Sequence, residues 1–241
     1  MKPFLLTFCL LFCFSCQTNI FLSKVENNSI RTEQNLEENK NITALIAPYK
    51  VKLDAKMNKV IGSSAQTLSK KRPESLLGNW TADAIHTKSE EYYKQSIDFA
   101  YTNYGGLRIP AIPKGDITVG KIFELMPFDN MLVVLEMDGT ALEELFTHIA
   151  ARGGDPISSH VRLNLTEPKK ALINNEPLDK NKTYKMATTN YLANGGDKLS
   201  FLKKRPRTNL GKLMRDALRE HVEETTKAGK KIDAKLEGRM K

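Results

Sequence analysis

Residues 131–150 read MLVVLEMDGTALEELFTHIA. Positions 131–137 are aliphatic or Met except for Glu136, a strongly β-prone run. Asp138-Gly139 marks a turn. Residues 140–150 then place Leu142, Leu145, Phe146 and Ile149 on one face of a predicted helix. Upstream, residues 119–126 predict a short helix and 109–115 a Pro- and Gly-punctuated loop. A turn is expected at 103–106, where a Gly pair permits positive φ. Residues 97–102 read as a strand. Residues 75–89 carry Leu76, Leu77, Trp80, Ala84 and Ile85 at helical spacing. Residues 60–68 read as a strand, and 43–57 as a helix with Pro48 near its start. Downstream come strands at 161–165 and 184–189, turns at 174–177 and 194–197, and a helix over 210–225. This irregular mixture, with hairpin-like strand pairs, favours an α+β fold over a doubly wound parallel sheet.

The 241 residues suit one domain with appendages. The formal charge of +9 is spread along the chain and mixed with Glu and Asp. It is accompanied by no zinc-finger spacing or RNA-recognition signature, so it reads as a solvated surface rather than a nucleic-acid footprint. All three cysteines, Cys9, Cys13 and Cys16, lie in the first sixteen residues. Residues 4–14 are almost wholly apolar and follow Lys2, as in a signal peptide too short to span a bilayer. The segment ends Cys13-Phe14-Ser15-Cys16, similar to a bacterial lipobox in which Cys16 is lipidated. Ordinary secretion with cleavage nearby is the alternative. The reading is a lipoprotein signal peptide at 1–16, a flexible polar tether at 17–42 and a folded domain at 43–241. It places the chain at the bacterial cell envelope, periplasmic or on the outer surface.

The four histidines, His86, His148, His160 and His221, form no H-x-H, D-x-H or H-E-x-x-H pattern. There is no G-x-S-x-G elbow and no P-loop, so no catalytic engine is evident. Recognition-type residues instead follow the predicted strands. Asn103-Tyr104-Gly105-Gly106-Leu107-Arg108 pairs a donor–acceptor amide with a rigid guanidinium fork. Pro127-Phe128 sets a ring at a loop mouth. Tyr191 and Asp197 flank Asn194-Gly195-Gly196. Singly, Phe128 and Tyr191 suit a core, and Gly-Gly-Asp suits a simple turn. Together they suit a nucleoside: two rings on a base, a carboxylate on vicinal ribose hydroxyls, and Asn103 and Arg108 on base, sugar or phosphate oxygens.

The order Glu74-Ser75-x-x-Gly78-Asn79-x-x-x-Asp83-Ala84, Asn103-x-Gly105-Gly106-x-Arg108, Gly115-x-Ile117-Thr118, Pro127-Phe128 and Ala193-Asn194-Gly195-Gly196-Asp197, closing with Glu237-Gly238-Arg239, resembles the C-terminal domain of the 5′-nucleotidase and UDP-sugar hydrolase family. The resemblance implies a layered α+β sandwich. It also implies that Asn103 and Arg108 bind nucleotide, Phe128 and Tyr191 stack on the base, and Asp197 holds the ribose. Arg72 is the nearest match to an upstream binding arginine. Two departures stand out. Tyr104 replaces a third glycine and is expected to narrow or cover the pocket, and Ser159 replaces a glycine in a Q-V-S-G-like segment. The family's two metal ions belong to an N-terminal half, so the resemblance implies no cofactor in this chain. A divalent metal pair is expected instead in a separately encoded metallophosphoesterase partner. A stand-alone nucleoside-binding envelope lipoprotein and a degenerate structural domain are the alternatives.

Overall fold

The computed structural model describes residues 37–241. The signal segment, Cys16 and most of the expected tether lie outside the described residues. By its contacts the chain separates into Met1–Leu45 and Ile46–Lys241. The sheet, both cores and the cleft belong to the second unit.

β6 (Met131–Asp138) is the strand read from the apolar run, and it lies inside a four-stranded sheet. On one side it pairs antiparallel with β10 (Thr183–Thr189), from Thr183↔Asp138 to Thr189↔Leu132. On the other it pairs antiparallel with β11 (Arg207–Leu213). β3 (Phe99–Ala100) adds to β10 in parallel. Because side chains alternate across a strand, Leu132 and Val134 enter one core while Val133, Leu135 and Met137 enter the other. Both faces of β6 are therefore dry.

The first core is filled by α2 (Leu76–Tyr93), α3 (Val119–Leu125) and α6 (Met214–Lys227). The second is filled by α4 (Gly139–Ala151), through Leu142, Leu145, Phe146 and Ile149. Each fully buried Leu, Ile or Phe contributes about 1.5–3 kcal/mol relative to exposure. The result is the expected layered α+β arrangement, with a mixed sheet between helices. Short strands complete it. β1 (Val60–Ser64) pairs with β5 (Gly115–Thr118), and β2 (Leu68–Ser69) pairs with β4 (Ala111–Ile112). β7 (Val161–Arg162), β8 (Leu172–Ile173) and β9 (Glu176–Pro177) form a three-stranded meander.

Several boundaries differ from the sequence reading, each for a local reason. Asp138-Gly139 is no free turn. The Asp138 carboxylate caps α4 by accepting the Ala141 N–H at 2.8 Å, and Gly139 is the first helical residue. Residues 210–213 are strand rather than helix: Leu213 pairs with Met131 of β6, and a break in register leaves 210–212 as an unpaired bulge before it. α1 (Lys40–Met57) starts before residue 43, since Asn39 Oδ1 accepts the Asn41 N–H at 3.1 Å and the Ile42 N–H at 3.3 Å. Leu45, Ile46, Tyr49 and Leu53 on α1 are exposed instead of opening the core, and Pro48 sits inside the helix.

The motifs at 74–83 and 237–239 meet. Arg239, which is buried, donates a fork to Asp83, with Nη1 to Oδ1 at 2.9 Å and Nη2 to Oδ2 at 2.6 Å. Glu74 accepts the Asn79 amide and the Glu237 and Arg239 N–H groups. These residues tie the chain's end to α2 and lie away from the cleft lining.

Candidate functional site

β3 runs parallel to β10, and β6 runs antiparallel to it. The chain segments that leave β3 and β10 therefore meet the segment that enters β6 at one end of the sheet. These are the three segments carrying the recognition residues. Between them lies a cleft of ≈ 310 Å³. Asn103, Arg108, Phe128, Tyr191 and Asp197 all line it, joined by Asn130, which the sequence reading leaves out.

Phe128 and Tyr191 are 42% and 44% exposed, so neither is a core residue. One exposed ring alone needs no reason, but two lining one cleft are the kind of clustered apolar surface that marks a binding groove. The Phe128 loop is held from behind, because Arg215 donates to Phe128 O at 3.3 Å and to Asp129 Oδ1 at 2.8 Å. Arg108 lies over the Phe128 ring at 5.7 Å and donates to Gly105 O at 3.3 Å. Tyr191 is the second residue of the short helix α5 (Asn190–Ala193), which is capped by Thr189. Its ring rests on Gly196, where a Cβ would lie 2.5 Å from ring carbons.

Asp197 is the hub. Its backbone is left-handed at φ 52°. Oδ1 accepts the Tyr191 hydroxyl at 2.8 Å, while Oδ2 accepts Asn103 Nδ2 and Arg152 Nη2, each at 2.9 Å. The hydrogen bond to this carboxylate raises the Tyr191 phenol pKa above its ordinary value. The turn at 103–106 is a 3₁₀ turn in which neither Gly105 nor Gly106 has positive φ. Gly106 is needed for close approach instead, since a Cβ there would lie 2.7 Å from Asn103 Oδ1.

Two expectations change. Tyr104 does not cover the cleft. Its ring clasps two cations, Lys70 Nζ at 4.1 Å and Arg72 Cζ at 4.4 Å from its centroid, outside the lining. That clasp also takes Arg72 away from the cleft. Arg72 donates to Asp155 Oδ1 at 3.2 Å and to the Arg152 carbonyl. Beyond Asn130, the sequence reading also leaves out Arg152 and Asp155. Their segment, Arg152-Gly153-Gly154-Asp155, carries the same Gly-Gly-Asp string as 195–197, which was the available signal. Among the described residues, no group of three or more His, Cys, Asp or Glu is placed to hold a metal ion.

A family model, 5′-nucleotidase, C-terminal domain, matches residues 55–204, more than half of the chain. The chain belongs to the 5′-nucleotidase C-terminal domain family. Other members of the 5′-nucleotidase group agree with this. The chain is 29% identical over 238 residues to the trifunctional nucleotide phosphoesterase protein YfkN of Bacillus subtilis, covering 87% of this chain and 16% of that one. It is 26% identical over 198 residues to the protein UshA of Escherichia coli, covering 79% of this chain and 36% of UshA. The crystal structure of a 5′-nucleotidase precursor from Thermus thermophilus superposes with a TM-score of 0.68 at 29% identity, over 83% of this chain and 42% of that one. The chain thus spans well under half the length of these relatives.

Proposed function

We propose that this 5′-nucleotidase C-terminal domain is the nucleotide-binding half of a phosphomonoester hydrolase in nucleotide catabolism. Its catalytic half, with a divalent metal pair, sits on a metallophosphoesterase partner. The observation that carries the binding half of this reading is the pair of exposed rings, Phe128 and Tyr191, at one cleft with Asp197, Asn103 and Arg108. A base stacks on the rings, and such stacking contributes about 1–3 kcal/mol per base. The vicinal ribose hydroxyls donate to Asp197, whose Oδ1 passes from the Tyr191 hydroxyl to the sugar. The Arg108 guanidinium faces the oxygen-rich end of the ligand, where its planar fork suits phosphate. On this reading hydrolysis falls to the partner, which carries the metal pair. Lipid on Cys16 would hold the chain at the envelope and raise the local concentration of a partner anchored there too.

Titration calorimetry of the full-length chain in mild detergent with adenosine and AMP tests the binding half. Micromolar binding that is lost in Asp197→Ala is the expected result. Heat-free titrations with both ligands would leave only a structural domain. Gentle-detergent purification from the native envelope tests the partner, which should co-purify as a metal-dependent phosphoesterase.

A further inference from the structure

Asp197 does not hold its position unaided. It and Lys198 both have left-handed backbones, at φ 52° and 68°, a conformation that Asp adopts more readily than most residues but that is unfavourable for Lys. The Tyr191 hydroxyl restrains Asp197 from six residues away, and a residue from outside the loop restrains it further. Arg152, just after the end of α4, does so with Nη2 at 2.9 Å from Asp197 Oδ2. The same guanidinium turns its Nε to Asp155 Oδ2 at 3.1 Å.

Asp155 is the anchor. Its side chain is 0% exposed, so an unpaired charge there would be strongly disfavoured. It is saturated instead. Oδ1 accepts the Tyr104 N–H at 3.0 Å and Arg72 Nη2 at 3.2 Å, and Oδ2 accepts the Tyr101 hydroxyl at 3.3 Å beside Arg152. One buried carboxylate thus fixes the loop that carries Asn103 and also aims the arginine that fixes Asp197. Its own loop has little freedom: at Gly154, φ is 100° and a Cβ would lie 2.5 Å from Pro73 O. Neither Arg152 nor Asp155 lines the cleft.

We propose that Arg152, aimed by Asp155, is the positioning residue for ribose recognition in this domain. It holds the Asp197 carboxylate in register for a vicinal diol and offsets its charge, so that a phosphate-bearing ligand is not repelled. This rests on the nucleotide-binding reading above. A lysine cannot replace the arginine, because bridging two carboxylates in different directions needs the planar fork rather than a point charge.

The test compares adenosine, 2′,3′-dideoxyadenosine and adenine by titration calorimetry on the full-length chain, as wild type, Arg152→Gln and Arg152→Lys. In wild type, loss of the diol is expected to weaken binding roughly 10–100-fold, as for hydrogen bonds to a charged group. Arg152→Gln brings that ratio close to one and leaves adenine binding within about twofold, since the rings are untouched. Arg152→Lys, which keeps the charge and serves if the Gln variant does not fold, lowers the ratio about tenfold without restoring it. A folded variant that keeps the wild-type ratio would overturn the proposal. So would one that loses adenine and adenosine equally, which is the mark of a merely structural role. Wild type that binds adenosine and dideoxyadenosine equally would overturn it too, and would leave base binding intact. Wild type that binds none of the three would overturn the nucleotide reading itself, and this one with it.

Discussion

At Tyr191 a single hydroxyl holds the Asp197 carboxylate. The ring lies on Gly196 and the hydroxyl occupies Asp197 Oδ1, an oxygen that the proposed reading assigns to a ribose diol. On that reading a ligand displaces it. Tyr191→Phe keeps the stacking surface and removes the competitor, so adenosine binding should tighten by about 0.5–1.5 kcal/mol, the net value of one hydrogen bond. Calorimetry would read this directly, and weaker binding would mean that the hydroxyl instead helps to hold Asp197. Tyr104 teaches a different lesson at the same scale. In sequence it stands where a glycine is usual and suggests an obstruction. In the fold, two cations supplied from residues 70 and 72 draw the ring out of the cleft. Nothing near position 104 in the sequence announces that partnership.

Among the elements, α4 shows how a strand is turned into a helix without a loop. Asp138 ends β6 and caps α4 in one residue, and the Ala141 N–H lowers its carboxyl pKa, helped by Arg205. Asp138→Ala should cost about 1 kcal/mol, within the range for a lost N-cap. It would show as a lower urea midpoint with an unchanged slope. A cost near zero would mean that Leu142, Leu145 and Phe146 hold the helix by packing alone. β6 and α4 were legible because their apolar pattern is local and strong. β11 was not. Leu210 and Leu213 fit a helical spacing, yet Arg207, Thr208 and Asn209 pair with Leu135, Val134 and Val133 across the sheet. A strand with little apolar pattern of its own is specified by its neighbour's open edge.

Over the whole molecule, the first and last parts of the domain are joined by charge. The Arg239 fork on Asp83 is buried at the arginine end, with Asp83 partly open to solvent. Arg239→Ala leaves Asp83 with the Ser159 N–H and solvent, and removes the Glu237 contact as well. A loss of about 1.5–3 kcal/mol, the range for hydrogen bonds to a charged group, should appear in denaturant melts while the far-ultraviolet spectrum stays native. A loss under about 0.5 kcal/mol, as for surface pairs, would show that the closure is not needed. Histidines set a second global property. Burial lowers the pKa of His148, His160 and His221 below their ordinary 6.5, with neighbouring His86 adding to the effect at His160. Folded protein therefore binds fewer protons than unfolded chain just below pH 6.5, and stability falls as pH drops through that interval. Thermal melts should give a lower Tm at pH 5.5 than at pH 7.5. A flat or rising Tm would contradict the assignment.

The sequence by itself determined the α+β class, the central strand and its following helix, the family, and five residues that share one cleft. It could do so because hydrophobic period and short motifs are local properties of the chain. Tertiary structure alone decided that Arg72 and Tyr104 leave the cleft, that Arg152 and Asp155 brace Asp197, and that residues 207–213 complete the sheet. Each depends on charges or an open strand edge supplied from a distant part of the chain. Whether a polar side chain faces a ligand or a neighbour is set by which partner reaches it in the folded state, and the residue's own identity does not record that.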